Sequence, residues 1–175
     1  MRLLDKPFSM MLGAVDAYTL LSYACQQCGL TFGMDNLNGF CNKNMIYQPT
    51  YEQDIETYRD LVYWIAQTQC AFATIDRNGA LVLRRFVGSS ADTINPEERY
   101  NTSTFADYAT KYTGMSVVNM DDGTTEYYHL TPDDGVTINL GQNPLLQVIK
   151  SQRKTYVENM LAEAALIIED RKSVV

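Results

Sequence analysis

The residues best suited to nucleophilic, redox or metal chemistry are four cysteines, at 25, 28, 41 and 70, and the single histidine, His129. Cys25 and Cys28 make a CxxC, the spacing of dithiol redox centres and of half a zinc site. Zinc needs a second close pair, whereas Cys41 and Cys70 stand far apart in sequence and Cys70 falls at a strand start. A thioredoxin-like dithiol opens a helix after a strand. Here the pair closes the C-terminal end of a helix, just before Gly29. The expectation is that these thiols pack as small apolar side chains on one helical face. His129 lies in the β-prone run TTEYYHL. Neither GxSxG nor the papain-type cysteine pattern accompanies it, so no Ser-His-Asp or Cys-His set is expected around it.

The acid pairs Asp121-Asp122 and Asp133-Asp134 could in principle serve metal or acid–base chemistry. Each precedes a glycine between β-prone runs, where Asp stabilises turns by bonding nearby backbone N–H groups. The alternating oxygen donors of an EF-hand loop are missing. Glu52, Asp54 and Glu56 precede a helix, where negative charge complements the dipole. Neither GxxxxGK nor GxGxxG occurs, so there is no phosphate-binding loop. Arg84 and Arg85 are adjacent on a strand and point to opposite faces, so they form no basic patch. These patterns yield no catalytic, cofactor-binding or metal-binding residues.

The elements that would carry these residues are legible in part. Asp16 is placed to cap a first helix, Leu20, Leu21, Ala24, Cys25 and Cys28 recur at helical spacing, and Gly29 supplies a left-handed stop. Residues 30–50 read as an irregular loop with short strands near Thr31–Met34 and Met45–Tyr47. Thr57 and Asp60 form a capping box for a second helix, with Leu61, Trp64, Ile65 and Thr68 on one stripe and an end near Cys70. AFATIDRNGALVLRRF then reads as a β-hairpin about Asn78-Gly79. A two-residue turn would pair Ile75 with Val82 and Thr74 with Leu83; a bulge at Gly79 would shift that register by one.

Residues 87–98, VGSSADTINPEE, are the linker candidate. Beyond them, Tyr112–Met120, Thr124–Leu130 and Val136–Leu140 are strand candidates, with turns at Asp121-Asp122-Gly123 and Pro132-Asp133-Asp134-Gly135. Asn143-Pro144 is a helix start, and Leu145, Ile149, Tyr156, Met160, Ala164 and Ile167 mark one face of a long C-terminal helix. There is no internal repeat. The fold class expected is α+β. A helix–helix–hairpin lobe spans 1–88, a small antiparallel β lobe 99–142, and a C-terminal helix over 143–175 packs on both.

Composition narrows the function classes. The chain has 175 residues, 46% hydrophobic and 20% charged, with 12 tyrosines. That is a globular composition of one domain, or two small lobes sharing a core. A formal charge of −7 lacks the basic footprint of nucleic-acid binding. No apolar run reaches the roughly 18 residues of a membrane span. Asp5, Lys6 and Pro7 interrupt the place where a secretion signal would have its apolar core.

RLLDKPF, DAYTLLSYACQQCGL, TYRDLVYWIAQTQCAFATIDRNGALVLRRF and NLGQNPLLQ, in that order, resemble tail-hub proteins of long-tailed phages and prophages. This tail-tip or tail-associated group is related to the hub at the centre of contractile-tail baseplates. The resemblance covers roughly 1–150 and rests on the order of the segments and on the helix–DRNG–hairpin unit. It implies a non-enzymatic structural and interaction domain in the virion tail, made in the bacterial cytoplasm. The partners implied are further copies of itself, as a homotrimer in the full-length protein, and neighbouring tail proteins. It implies no cofactor and transfers no site residues, because hub function resides in interfaces. The chain is short for the group, which implies a fragment or compact relative of a longer hub. Two other readings stand beside it. One is a tail-associated peptidase or cell-wall hydrolase fragment built around His129. The other is a receptor- or carbohydrate-binding module using Tyr127, Tyr128 and Trp64 as stacking platforms.

Overall fold

The computed structural model describes residues 2–9, 13–47, 55–85, 112–119, 122–129, 136–140, 143–146 and 150–172. The first described segment is a 3-10 turn, Arg2–Asp5, laid against the second helix. It is held there by the exposed pair Arg59–Asp5 and by backbone bonds from Phe8 N to Glu56 O and from Tyr58 N to Lys6 O. Strand β1 (Val15–Asp16) pairs antiparallel with β2 (Ile46–Tyr47) and leads into helix α1 (Ala17–Gln27). Asp16 caps α1 through both oxygens, accepting from Thr19 N and from the Thr19 hydroxyl, each at 2.9 Å. The helix ends as its sequence predicts. Gly29 takes φ +67°, and Leu30 N and Gly29 N reach back to Cys25 O and Gln26 O.

Helix α2 (Tyr58–Thr68) opens on the expected reciprocal capping box between Thr57 and Asp60. Leu61, Ile65 and Thr68 of its stripe are buried, and Trp64 is half-buried against the same core. Strands β3 (Ala71–Ile75) and β4 (Leu81–Arg85) form the hairpin. Its register is the shifted one, with Ile75 opposite Leu81 and Thr74 opposite Val82. Gly79 sits at φ +82°, and the Asp76 carboxylate accepts from the backbone N–H of Asn78 and of Ala80, which fixes a three-residue turn with a glycine bulge. The strand expected at Thr31–Met34 is a single parallel bridge, Phe32 to Leu81, flanked by the bonds Leu81 N to Thr31 O and Gly33 N to Leu81 O. That approach is why position 33 is glycine. A Cβ there would stand 2.8 Å from the Ala80 Cβ and 2.9 Å from the Val82 Cγ1.

The third sheet has strand order β6-β5-β7, with β5 Tyr112–Val118, β6 Thr125–His129 and β7 Val136–Asn139. β6 returns antiparallel to β5 through a turn in which Gly123 takes φ +71° and Asp122 accepts from Thr124 N. β7 runs parallel to β5, so the sheet is mixed and the expectation of a purely antiparallel lobe is corrected. A parallel neighbour needs a crossover rather than a hairpin, and strand direction is a property of that path which alternation along β7 does not encode. β5 is the central strand, and Gly114, Met115, Ser116 and Val117 are all buried.

Asn143 caps the next segment by accepting from Leu145 N, but Pro144–Leu146 is a 3-10 turn. The described part of the long helix, α3, is Lys150–Lys172, and the expected start at Asn143–Pro144 is a buried 3-10 turn. Among the described side chains of α3, Arg153, Val157, Met160, Leu161 and Glu163 are buried and Tyr156 is half-buried. Expectations for the linker at 87–98, the Pro132–Gly135 turn, Glu52, Asp54, Asp121 and Ile149 lie outside the described residues, as do the side chains of Ala164 and Ile167.

One continuous core joins these parts: Leu20 and Leu21 from α1, Leu61 and Ile65 from α2, Leu81 and Leu83 from β4, Met115 and Val117 from β5, Leu145 and Leu146, and Val157, Met160 and Leu161 from α3. Each such side chain contributes about 1.5–3 kcal/mol on removal from water. The architecture is α+β.

Candidate functional site

The densest convergence of chemically capable side chains lies where the loop after α1, the junction of α2 with β3, and α3 meet. Three sets of contacts make it. In the first, Asn42, 2% exposed, donates from Nδ2 to Thr68 O at 2.9 Å and to Tyr156 O at 3.0 Å, and its Oδ1 accepts from Asn159 Nδ2 at 3.0 Å. The Gln69 amide donates to Asn42 O and to the Tyr47 hydroxyl; Tyr47 in turn bonds Thr68 Oγ1, which donates to Ile65 O. The chain is buried and directional, so each member fixes the next. Among the described residues, Gln69 Oε1 is the one buried side-chain polar atom without a partner.

The second set is the thiol pair that sequence separation concealed. Cys41 Sγ donates to Thr68 O at 3.7 Å, which seats it at the C-terminal end of α2 beside Cys70. Cys70 Sγ donates to Met160 O of α3 at 3.3 Å, and the Cys41 thiol is the first of the groups that act on its proton. Both residues are half-buried and neither is in a disulfide. Cys70 occupies φ +49°, the left-handed position that Gly29 fills at the end of α1; among the described residues it is the only non-glycine there. That conformation costs an L-residue about 1–2 kcal/mol. Cys70→Gly is therefore expected to be about 1 kcal/mol more stable than Cys70→Ala, because both lose the thiol and only alanine keeps the strain. Urea denaturation of the two variants side by side checks this.

The third set is ionic. Arg85 of β4 reaches Glu163 of α3 through Nε at 2.8 Å and Nη2 at 2.5 Å. The Cys41 thiol, burial and the Glu163 carboxylate push the Cys70 thiol up, and Arg85 opposes them. A second ion pair lies nearer the amino-terminal end of α3. Arg153 Nε and Nη2 take one oxygen each of Glu126, at 3.1 and 2.8 Å, and the Tyr128 hydroxyl donates to Glu126.

The CxxC behaves as its place at a helix end implies. Burial first and Cys28 second push the Cys25 thiol from 9.0 up to about 12, and burial raises Cys28 as well, against the pull of Lys6. Both thiols are held protonated, the reverse of an activated redox cysteine. Burial first and Glu126 second likewise raise the Tyr128 phenol to about 12. Groups whose proton is held more tightly in the folded chain support stability below their unfolded values and withdraw that support as pH climbs toward the folded values. The urea midpoint is therefore expected to hold up to about pH 9 and to fall progressively toward pH 12. Cys25→Ala should flatten the first part of that fall, which a midpoint-against-pH series reads out.

His129 ends β6 with its backbone opposite Gly114. Tyr127 and Tyr128 face opposite sides of β6, Tyr127 at 64% exposure and Tyr128 against the core, while Trp64 packs edge-on to Tyr63 on α2. Tyr127 and Tyr128 thus do not share a face of β6. Arg84 is exposed and Arg85 turns to Glu163, so the two arginines separate as expected. Among the described residues no group of three or more His, Cys, Asp or Glu side chains is placed to hold a metal. None of their helices is long and apolar enough to cross a membrane. Comparison with known protein families, with curated proteins and with solved structures finds no match to this chain.

Proposed function

We propose that this chain is a non-catalytic structural and interaction domain of a phage or prophage tail tip, of the baseplate-hub group. Two things support the reading. One is the ordered resemblance of its segments to tail-hub proteins. The other, which carries it on the molecule itself, is how the side chains are allotted. The interior polar groups Asn42, Tyr47, Thr68, Gln69, Arg153 and Glu126 are spent on joining distant segments to each other. Large apolar side chains on separate elements reach the surface: Ile46 on β2, Tyr63 on α2, Phe72 on β3 and Tyr127 on β6. A rigid body with aromatic residues at its surface suits a protein whose work is holding neighbours. In this reading the full-length protein is a homotrimer in the virion tail, in contact with adjacent tail proteins.

The test is gold-labelled electron microscopy of induced phage particles with an antibody raised against this domain. Label at the tail tip is the expected result. Particles that stay unlabelled, with the epitope accessible on disrupted tails, would overturn the proposal.

A further inference from the structure

We infer that Cys41 and Cys70 are a two-electron redox couple that closes to a disulfide when the protein meets a disulfide-class oxidant such as oxidised glutathione, stapling the loop after α1 to the junction of α2 and β3. Three observations carry this, independently of any role in a phage tail. The thiols come from segments distant in sequence, yet Cys41 is anchored on Thr68 O, two residues before Cys70. Both residues keep part of their surface in water, whereas Cys25 and Cys28 are buried. And Cys70 holds a left-handed backbone conformation that favours glycine, which aims a thiol where a strain-free residue would offer none.

The chemistry balances with one named co-reactant. One protein thiolate attacks a glutathione sulfur, forming a mixed disulfide and releasing one glutathione thiolate. Cys70, whose proton is held tightly, then loses it and attacks the protein sulfur of that bond, closing Cys41–Cys70 and releasing the second glutathione, so closure quickens as pH rises. Two protein thiols are oxidised, one glutathione disulfide is reduced, and the two protons leave on the glutathione thiols. Closure removes the hydrogen bonds from Cys41 to Thr68 O and from Cys70 to Met160 O, so α3 loses one tie as the loop gains a covalent one.

The experiment incubates the whole chain in oxidised glutathione or in dithiothreitol, then maps peptides without reduction and measures urea midpoints. The expected result is a linked peptide containing Cys41 and Cys70, two hydrogens lighter than the free pair. The midpoint of the oxidised form should rise by about 1 M and return on reduction. Cys25→Ser/Cys28→Ser should keep the shift, and Cys41→Ser should abolish it. Free thiols, stable glutathione adducts at 41 or 70, a Cys25–Cys28 link in place of this one, or a linked form with a lowered midpoint would each overturn the inference.

Discussion

Asn42→Ala is expected to lower the unfolding free energy by about 3–4 kcal/mol, a large fraction of what holds a domain of this size together. The side chain removed is small, so the loss is not one of apolar area. It arises because Thr68 O keeps only the longer bond from Cys41 Sγ, Tyr156 O loses its side-chain donor, and exposed Asn159 turns to water; each hydrogen bond lost in the interior costs about 1–3 kcal/mol. Asn42→Asp separates this account from simple packing, since it keeps the shape and replaces two donors with acceptors that face carbonyl oxygens. A carboxylate there is favoured in its protonated form, so its folded pKa lies above its unfolded one. The support it gives is present below the unfolded value and lost as pH rises. Asn42→Asp should therefore sit closer to the parent protein at pH 4 than at pH 7 in urea titrations, whereas a packing defect would show no such recovery.

The second large effect is expected at Arg153 and Glu126, whose side chains are 4% and 12% exposed. Arg153→Met should cost about 3–5 kcal/mol, because Glu126 is left as a buried charge beside Tyr128. Arg153→Met/Glu126→Met should recover most of that loss. Desolvating two ions opposes their attraction almost in full, so the pair contributes little net stability although breaking it is severe. A double-mutant cycle by chemical denaturation measures the difference. Singles and double that are equally damaged would mean that the site is merely intolerant of methionine.

How much of this was legible beforehand follows the range of the interactions. The Asp16 cap, the Gly29 stop and the Thr57–Asp60 box are settled within a few residues, and each was readable from spacing. The hairpin was readable as a hairpin, but two registers stayed open because the choice rests on Gly79's conformation and the carboxylate of Asp76. The start at Asn143–Pro144 was recognised as a cap, yet local propensity does not distinguish a 3-10 turn from the first turn of a helix. The parallel placing of β7, the meeting of Cys41 with Cys70, and the burial of Asn42 in a loop that looked merely polar all depend on long-range packing. Nothing in the neighbouring residues announces them.

The same long range has a consequence for how the chain acquires its fold. Asn42 reaches Tyr156 and Asn159 across 114 and 117 residues, so these two partners lie far along the chain from it. Contacts of that span are entropically costly to close and form slowly. On the ribosome, residues 30–70 emerge long before α3 has been made, and until then Asn42 has no mate for its side-chain oxygen. Until then the loop is tied to the end of α2 but not to α3, and chaperones and proteases compete for the nascent amino-terminal half during that interval. Helix α3 acts as the keystone, locking a loop made long before it.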